Sequence, residues 1–254
     1  MFYNFSNAIV RFPGKSSVNG LSKADLKPNL NLLRIQHRLY VDVLSNLGLK
    51  IYSLDALEEF PDSIFVEDPA LTFKNGAILL KPGVKSRMGE EDFLKPQLLN
   101  IFENVLELRN GTAEGGDVLK LHNELIIGLS DRTNKLGAEE LQRLVLKLGY
   151  KSRIVKTPPG VLHLKSDCSA LDEETIFATP QIEKSKIFKN YKVIITPRDE
   201  HAAANLVRIN DKILVSEGYQ KTAELLSKNY EVETVNVSQV SKVDAGLSCM
   251  SLRW

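Results

Sequence analysis

The chain has 254 residues, 43% of them hydrophobic, enough to build the core of one large domain or two small ones. Its 33 basic and 32 acidic residues leave a formal charge of +1, which argues against a nucleic-acid partner and excludes an acidic tail. No apolar run approaches the ~18 residues of a membrane span, the start Met1-Phe2-Tyr3-Asn4-Phe5 does not read as a secretory signal, and two cysteines, Cys168 and Cys249, suit a reducing cytoplasm.

In chain order, apolar periodicity predicts a helix over 30–47 and a strand over 50–54. A hairpin follows over 70–80, turning at Asn75-Gly76, the strongest short hairpin signal. A helix over 90–104 and a strand over 105–108 complete that unit. The pattern returns with a hairpin over 118–128 turning at Asn123, a helix over 137–148 and a strand over 152–156. A third hairpin over 170–179 turns near Asp172-Glu173. A fourth over 205–215 turns at Asn210-Asp211, followed by a short helix from Thr222 and a strand over 232–237. Turns near 75, 123, 172 and 210 are spaced as in propellers and other repeat architectures. A fifth unit forms if 248–252 pairs with 8–11, which would also hold the end of the chain rigid. With no low-complexity linker, 1–254 reads as a single domain.

Polar residues gather where the units begin. Asp62, Glu67 and Asp68 stand among Phe65, Val66 and Leu71, as a solvated loop or as a carboxylate pocket for a guanidinium. In Glu114-Gly115-Gly116-Asp117 the paired glycines permit close backbone approach, so that either acid could point inward. His163, flanked by Leu162 and Leu164, is a core residue or a catalytic one. His37, His122 and His201 read as surface residues. Arg87 and Arg132 each follow a hairpin and precede a helix, and guanidinium forks suit a carboxylate clamp. Cys249 lies between Ser248 and Ser251, just after Gly246, a setting that suits a nucleophile if the terminus is tied down. No His or Cys pair has ligand spacing, so no metal site is expected.

Five of these segments occur in order around a Cys, a His and a Glu: 60–69 (Phe-Pro-Asp-Ser-Ile-Phe-Val-Glu-Asp-Pro), Pro-Gly-x-x-Ser-Arg at 82–87, Glu-Gly-Gly-Asp-Val at 114–118, Leu-His-Leu-Lys at 162–165 and Gly-Leu-Ser-Cys-Met-Ser-Leu-Arg at 246–253. Together they resemble the dimethylarginine dimethylaminohydrolases, bacterial type, over essentially the whole chain. The resemblance implies an α/β fold, a five-bladed α/β propeller of ββαβ units (the pentein fold), and hydrolysis of methylated arginine to citrulline without metal or other cofactor. It implies Cys249 as nucleophile, His163 as general acid and base, and Glu114 as the acid that holds the His. It implies Asp62, Glu67 and Asp68 as substrate-binding acids, Arg87 and Arg132 as the clamp on the amino-acid end, and Leu21 as part of a lid. Phe65 lies between Asp62 and Asp68, where its ring could wall the distal nitrogens. Met88 departs from relatives that carry a second basic residue there. The implied partner is a small molecule, with neither nucleic acid nor membrane, and a homodimer is left open. Arginine deimination is the nearest rival activity; a non-catalytic propeller of the same fold would not need the Cys-His-Glu set.

Overall fold

Local turn chemistry sets the repeat. The structure, a computed structural model, describes residues 1–24 and 26–254. The elements in chain order are β1 (Asn7–Arg11), α1 (Leu30–Asn46), β2 (Lys50–Leu54), β3 (Ala70–Phe73), β4 (Gly76–Leu79), α2 (Lys95–Ile101), β5 (Val105–Glu107), β6 (Val118–Lys120), β7 (Leu125–Leu129), α3 (Lys135–Lys147), β8 (Ser152–Lys156), β9 (Cys168–Ala170), β10 (Thr175–Ala178), α4 (Pro180–Lys184), β11 (Lys192–Ile195), β12 (Val207–Ile209), β13 (Lys212–Ser216), α5 (Gln220–Leu226), β14 (Glu231–Val235) and β15 (Leu252–Arg253). The four predicted hairpins are β3–β4, β6–β7, β9–β10 and β12–β13, all antiparallel. After each hairpin a helix crosses over and returns a third strand parallel to the second. Asn210 takes a left-handed φ of 53° in the last hairpin turn, a conformation asparagine tolerates.

The fifth sheet closes the ring. β1 pairs in parallel with β2 on one side and antiparallel with β15 on the other, Ala8 opposite Arg253 and Ile9 opposite Leu252. The result is five three-stranded sheets in an α/β propeller. The middle strand of each sheet is buried on both faces, so its alternate residues enter different cores. In β4, Ile78 joins a core shared with β6 and β7, while Ala77 and Leu79 join one shared with β1 and β15. In β13, Leu214 faces β1 and α1, whereas Ile213 and Val215 face β10. The hydrophobic cores are therefore wedges between neighbouring sheets.

Three expectations change. The strand foreseen over 248–252 is confined to Leu252–Arg253, because Leu247–Met250 coils into a 3-10 turn. The third repeat does have its helix and strand, α4 and β11. That helix is five residues long, too short to show a period, and begins with Pro180 and a Thr179 side-chain cap. His37 is buried on the inner face of α1, 6.1 Å from the Phe12 ring, and burial pushes its pKa down to about 4. Among the described residues, no helix is long and apolar enough to cross a membrane.

Helix α1 also secures the turn that carries Cys249. The buried Tyr40 hydroxyl donates to the Leu247 carbonyl at 3.0 Å and lies 2.6 Å from Ser251 Oγ. Tyr40→Phe is expected to leave these groups short of a partner and to lower stability by about 1–3 kcal/mol, read from the midpoint of chemical denaturation.

Candidate active site

Two short loops bring the polar clusters together. In the 3-10 turn Gly115–Asp117 the absence of side chains is required: a Cβ on Gly115 would lie 1.9 Å from the Glu67 carbonyl oxygen, and one on Gly116 would lie 2.7 Å from His163 Cγ. The close approach lets Gly115 N donate to the Asp68 carbonyl at 3.0 Å and Gly116 N donate to Asp68 Oδ1 at 3.1 Å. The buried Asp117 accepts from Ser130 Oγ, Thr133 Oγ1 and the backbone N–H of Leu164, which fixes the chain beside His163. Asp117 thus points inward and anchors structure, while Glu114 meets the imidazole.

A cavity of about 210 Å3 is lined by Leu21, Asp62, Phe65, Asp68, Arg87, Arg132, His163 and Cys249. Glu114 stands behind His163, its Oε2 2.7 Å from Nε2, and its Oε1 accepts from Gly83 N at 2.8 Å. The backbone N–H of Leu21 donates to Asp62 Oδ1 at 3.0 Å, which ties the 21–23 loop to the cavity wall. The structure does not bring Glu67 into the cavity. Its carboxylate turns away to Lys165 Nζ at 2.7 Å, Arg253 Nη2 at 2.8 Å and Ser248 Oγ at 3.1 Å. Glu67 still touches the cysteine segment, donating its backbone N–H to the Cys249 carbonyl at 3.2 Å.

The two arginines differ. Arg132 is partly exposed and lies 3.7 Å from Glu114 Oε1. Arg87 is buried and satisfied from within the chain. It pairs with Glu90 through Nε and Nη2, both at 2.7 Å, with Asp68 at 2.6 Å and with the Phe65 carbonyl at 3.1 Å. Neither Glu90 nor Asn205 is among the site residues expected from sequence. Glu90 stands three residues after Arg87, a spacing that fits a helical pair. Asn205 gives no sequence signal; it follows the 3-10 turn His201–Ala204, just before β12, donates from Nδ2 toward Cys249 Sγ at 3.7 Å and accepts from Ser248 N at 3.2 Å.

Burial and charge set the protonation states. Burial pushes the Cys249 thiol up to about 11, and the nearby Glu67 and Asp68 push the same way, so these surroundings favour a thiol. Burial alone would lower the His163 pKa, but Asp68, Asp117 and the Glu114 contact outweigh it and raise it to about 9. Burial opposes charge on Asp68 as well, yet Arg87 and His163 hold its pKa below the ordinary value. Asp62 goes the other way, raised by burial despite Arg87. Asp68, Glu114 and His163 place ligand atoms within 4.8 Å of one another. Those atoms already face Arg87 or each other, an arrangement that competes with a metal ion.

The sequence matches the arginine deiminase family over residues 53–212. An N(G),N(G)-dimethylarginine dimethylaminohydrolase of Pseudomonas aeruginosa is 34% identical over 254 residues, covering 98% of this chain and 100% of that protein. The chain belongs to the dimethylarginine dimethylaminohydrolase family. A second dimethylarginine dimethylaminohydrolase, of Streptomyces coelicolor, is 30% identical, covering 97% of this chain and 96% of its own. The crystal structure of the Pseudomonas aeruginosa dimethylarginine dimethylaminohydrolase, a cysteine-to-serine mutant complexed with citrulline, superposes with a TM-score of 0.95 at 33% identity, covering 99% of this chain and 100% of that one. The family's pentein fold is the five-sheet ring described above.

The raised pKa of His163 has a stability consequence. Its folded value of about 9 exceeds the ordinary 6.5, so its stabilising contribution is complete below 6.5 and is lost as pH rises through about 9. Glu114→Gln removes one of the groups that raise it. The variant is expected to show a lower imidazole pKa by NMR and a smaller loss of urea midpoint across that window than the wild type.

Proposed function

We propose that this chain hydrolyses an Nω-methylated L-arginine to L-citrulline and a methylamine through a covalent intermediate on Cys249. The observation that carries the reading is the convergence on one cavity of a thiol, a carboxylate-held imidazole and two buried acids. Asp62 and Asp68 orient the guanidinium, and its positive charge offsets the field that keeps Cys249 protonated. As substrate binds, the Cys249 proton is released to solvent, and Sγ of the resulting thiolate attacks the guanidinium carbon. With Nε2 held by Glu114, His163 has Nδ1 for proton exchange. It protonates the departing methylamine as the C–N bond breaks, leaving an S-alkylthiouronium on Cys249. His163 then takes a proton from water as its oxygen adds to the same carbon. The C–S bond breaks, citrulline leaves and the sulfur regains its proton. Asn205 donates toward the sulfur, and Glu67 holds the cysteine turn through its backbone. The whole of 1–254 acts as one catalytic unit, because ring closure uses both β1 and β15. The free thiols fit a reducing cytoplasm.

Arginine deimination would use the same groups on unmodified arginine. The ring of Phe65 favours methylated substrate, since an apolar wall leaves arginine's extra N–H groups unpaired. A parallel citrulline assay should show methylated arginine preferred by roughly tenfold to a hundredfold in kcat/KM, with the gap narrowed in Phe65→Ala. In that assay Cys249→Ser is expected to be inactive and Cys168→Ser active. Turnover by the Cys249 variant, or equal use of arginine, would overturn the respective claim.

The arginines are expected to separate. Arg132→Ala should raise KM for methylarginine while sparing methylguanidine, which has no carboxylate to grip. Arg87→Ala should instead unfold more easily, by about 3–5 kcal/mol, because Glu90 and Asp68 lose their buried partner. Thermal melts beside the kinetics distinguish the two effects.

A further inference from the structure

A second cavity, of about 90 Å3, lies on the axis of the ring. The inner strand of every sheet contributes to it: β3, β6, β9, β12 and β15. It lies next to the catalytic cavity without sharing side chains with it, because Ser248 and Glu67 line one where Cys249 and Asp68 line the other. Its charge is unbalanced. Lys120, Lys165, Arg208 and Arg253 line it, and Glu67 is the one acid among the described lining residues. That acid is already shared between Lys165 and Arg253.

The remaining cations rest on neutral groups. Lys120 Nζ donates to the Thr72 carbonyl and sits 4.7 Å from the Phe73 ring centre. Arg208 donates to the Leu171 and Asn210 carbonyls and stacks 3.9 Å from the centre of the Tyr3 ring. Nε of Arg253, on a side chain only 10% exposed, has no acceptor among the described residues. A buried cation without a counter-charge is costly, and charge-assisted donors favour an anion. The void has room for a small ion, since one water needs ~10–15 Å3 of such space.

We propose that this axial cavity binds a small inorganic oxyanion of the phosphate or sulfate class, held by Lys120, Lys165, Arg208 and Arg253. The bound anion supplies the negative charge that Glu67 alone cannot. It shares Lys165 and Arg253 with Glu67, which itself accepts from Ser248 beside Cys249. Burial, then Lys165 and Arg253, push the Lys120 pKa down to about 7, with Glu67 opposing. Arg208 and the Tyr3 ring complete the surroundings. Binding therefore draws a proton onto Lys120 above that pH, and affinity falls as pH rises through about 7.

The test compares sodium phosphate and sodium sulfate with sodium chloride at matched ionic strength, by thermal unfolding of the full chain. Phosphate and sulfate are expected to raise Tm beyond chloride. The same preference should survive in Arg132→Met, which alters only the substrate cavity, and phosphate affinity should fall by about tenfold or more in Lys120→Met. Calorimetry with sodium sulfate, which does not itself titrate near neutral pH, in two buffers of different ionisation enthalpy reads proton uptake by the wild type, so the proposal stays testable if Lys120→Met does not fold. Equal stabilisation by chloride, an undiminished response in Lys120→Met, loss of the response in Arg132→Met, or binding without proton uptake above the Lys120 pKa would each overturn it.

Discussion

The antiparallel pairing of β15 with β1 is the constraint on which the rest depends. Two residue pairs, Ala8 with Arg253 and Ile9 with Leu252, turn an open row of sheets into a ring. Without them the edges of β1 and β3 would lack a neighbour, and the wedge core between the first two sheets would lose Leu252. The same pairing fixes the position of the residues just before β15. Cys249 is placed by this closure, by the Tyr40 hydroxyl from α1 and by the Glu67 backbone, rather than by its own short turn. The Cys249 turn is thereby tied to three separate segments of the ring.

Charge inside the ring is arranged in linked pairs. Arg87 holds Asp68 and Glu90 together, Glu114 holds His163, and Glu67 holds Lys165 and Arg253. Such pairs do little for net stability, because desolvation offsets much of the attraction. Their effect is on position and on protonation. Asp68 acts on both groups: with Asp117 and Glu114 it raises the His163 pKa, and with Glu67 it adds to the burial that keeps Cys249 a thiol.

Much of this was legible from residues alone, where the signal is local. Asn75-Gly76 and Asn210-Asp211 mark turns between apolar runs, and at Asn210 the left-handed backbone is one that few residues accept. α4 was not legible, since five residues hold too little of a helical period. His37 shows the limit of a composition rule: an imidazole looks polar in sequence, yet its place beside Gln36 and Tyr40 puts it on the inner face of α1. At the site, the Gly115-Gly116 pair correctly indicated close approach. That Glu67 turns away from its neighbour Asp68, and that Arg87 is consumed by Glu90, are facts of side-chain direction fixed by distant segments. Asn205 meets Cys249 only because two sheets meet.

The sharing of each middle strand between two wedge cores has a consequence for the order of folding. No sheet owns its interior, so none is finished until both of its neighbours are in place, and the closing pair joins β1 to a strand far along the chain. Contacts between such distant residues form late, because the chain entropy is lost before they give anything in return. The turn that carries Cys249 meets Tyr40, Glu67 and Asn205 only when the circle shuts.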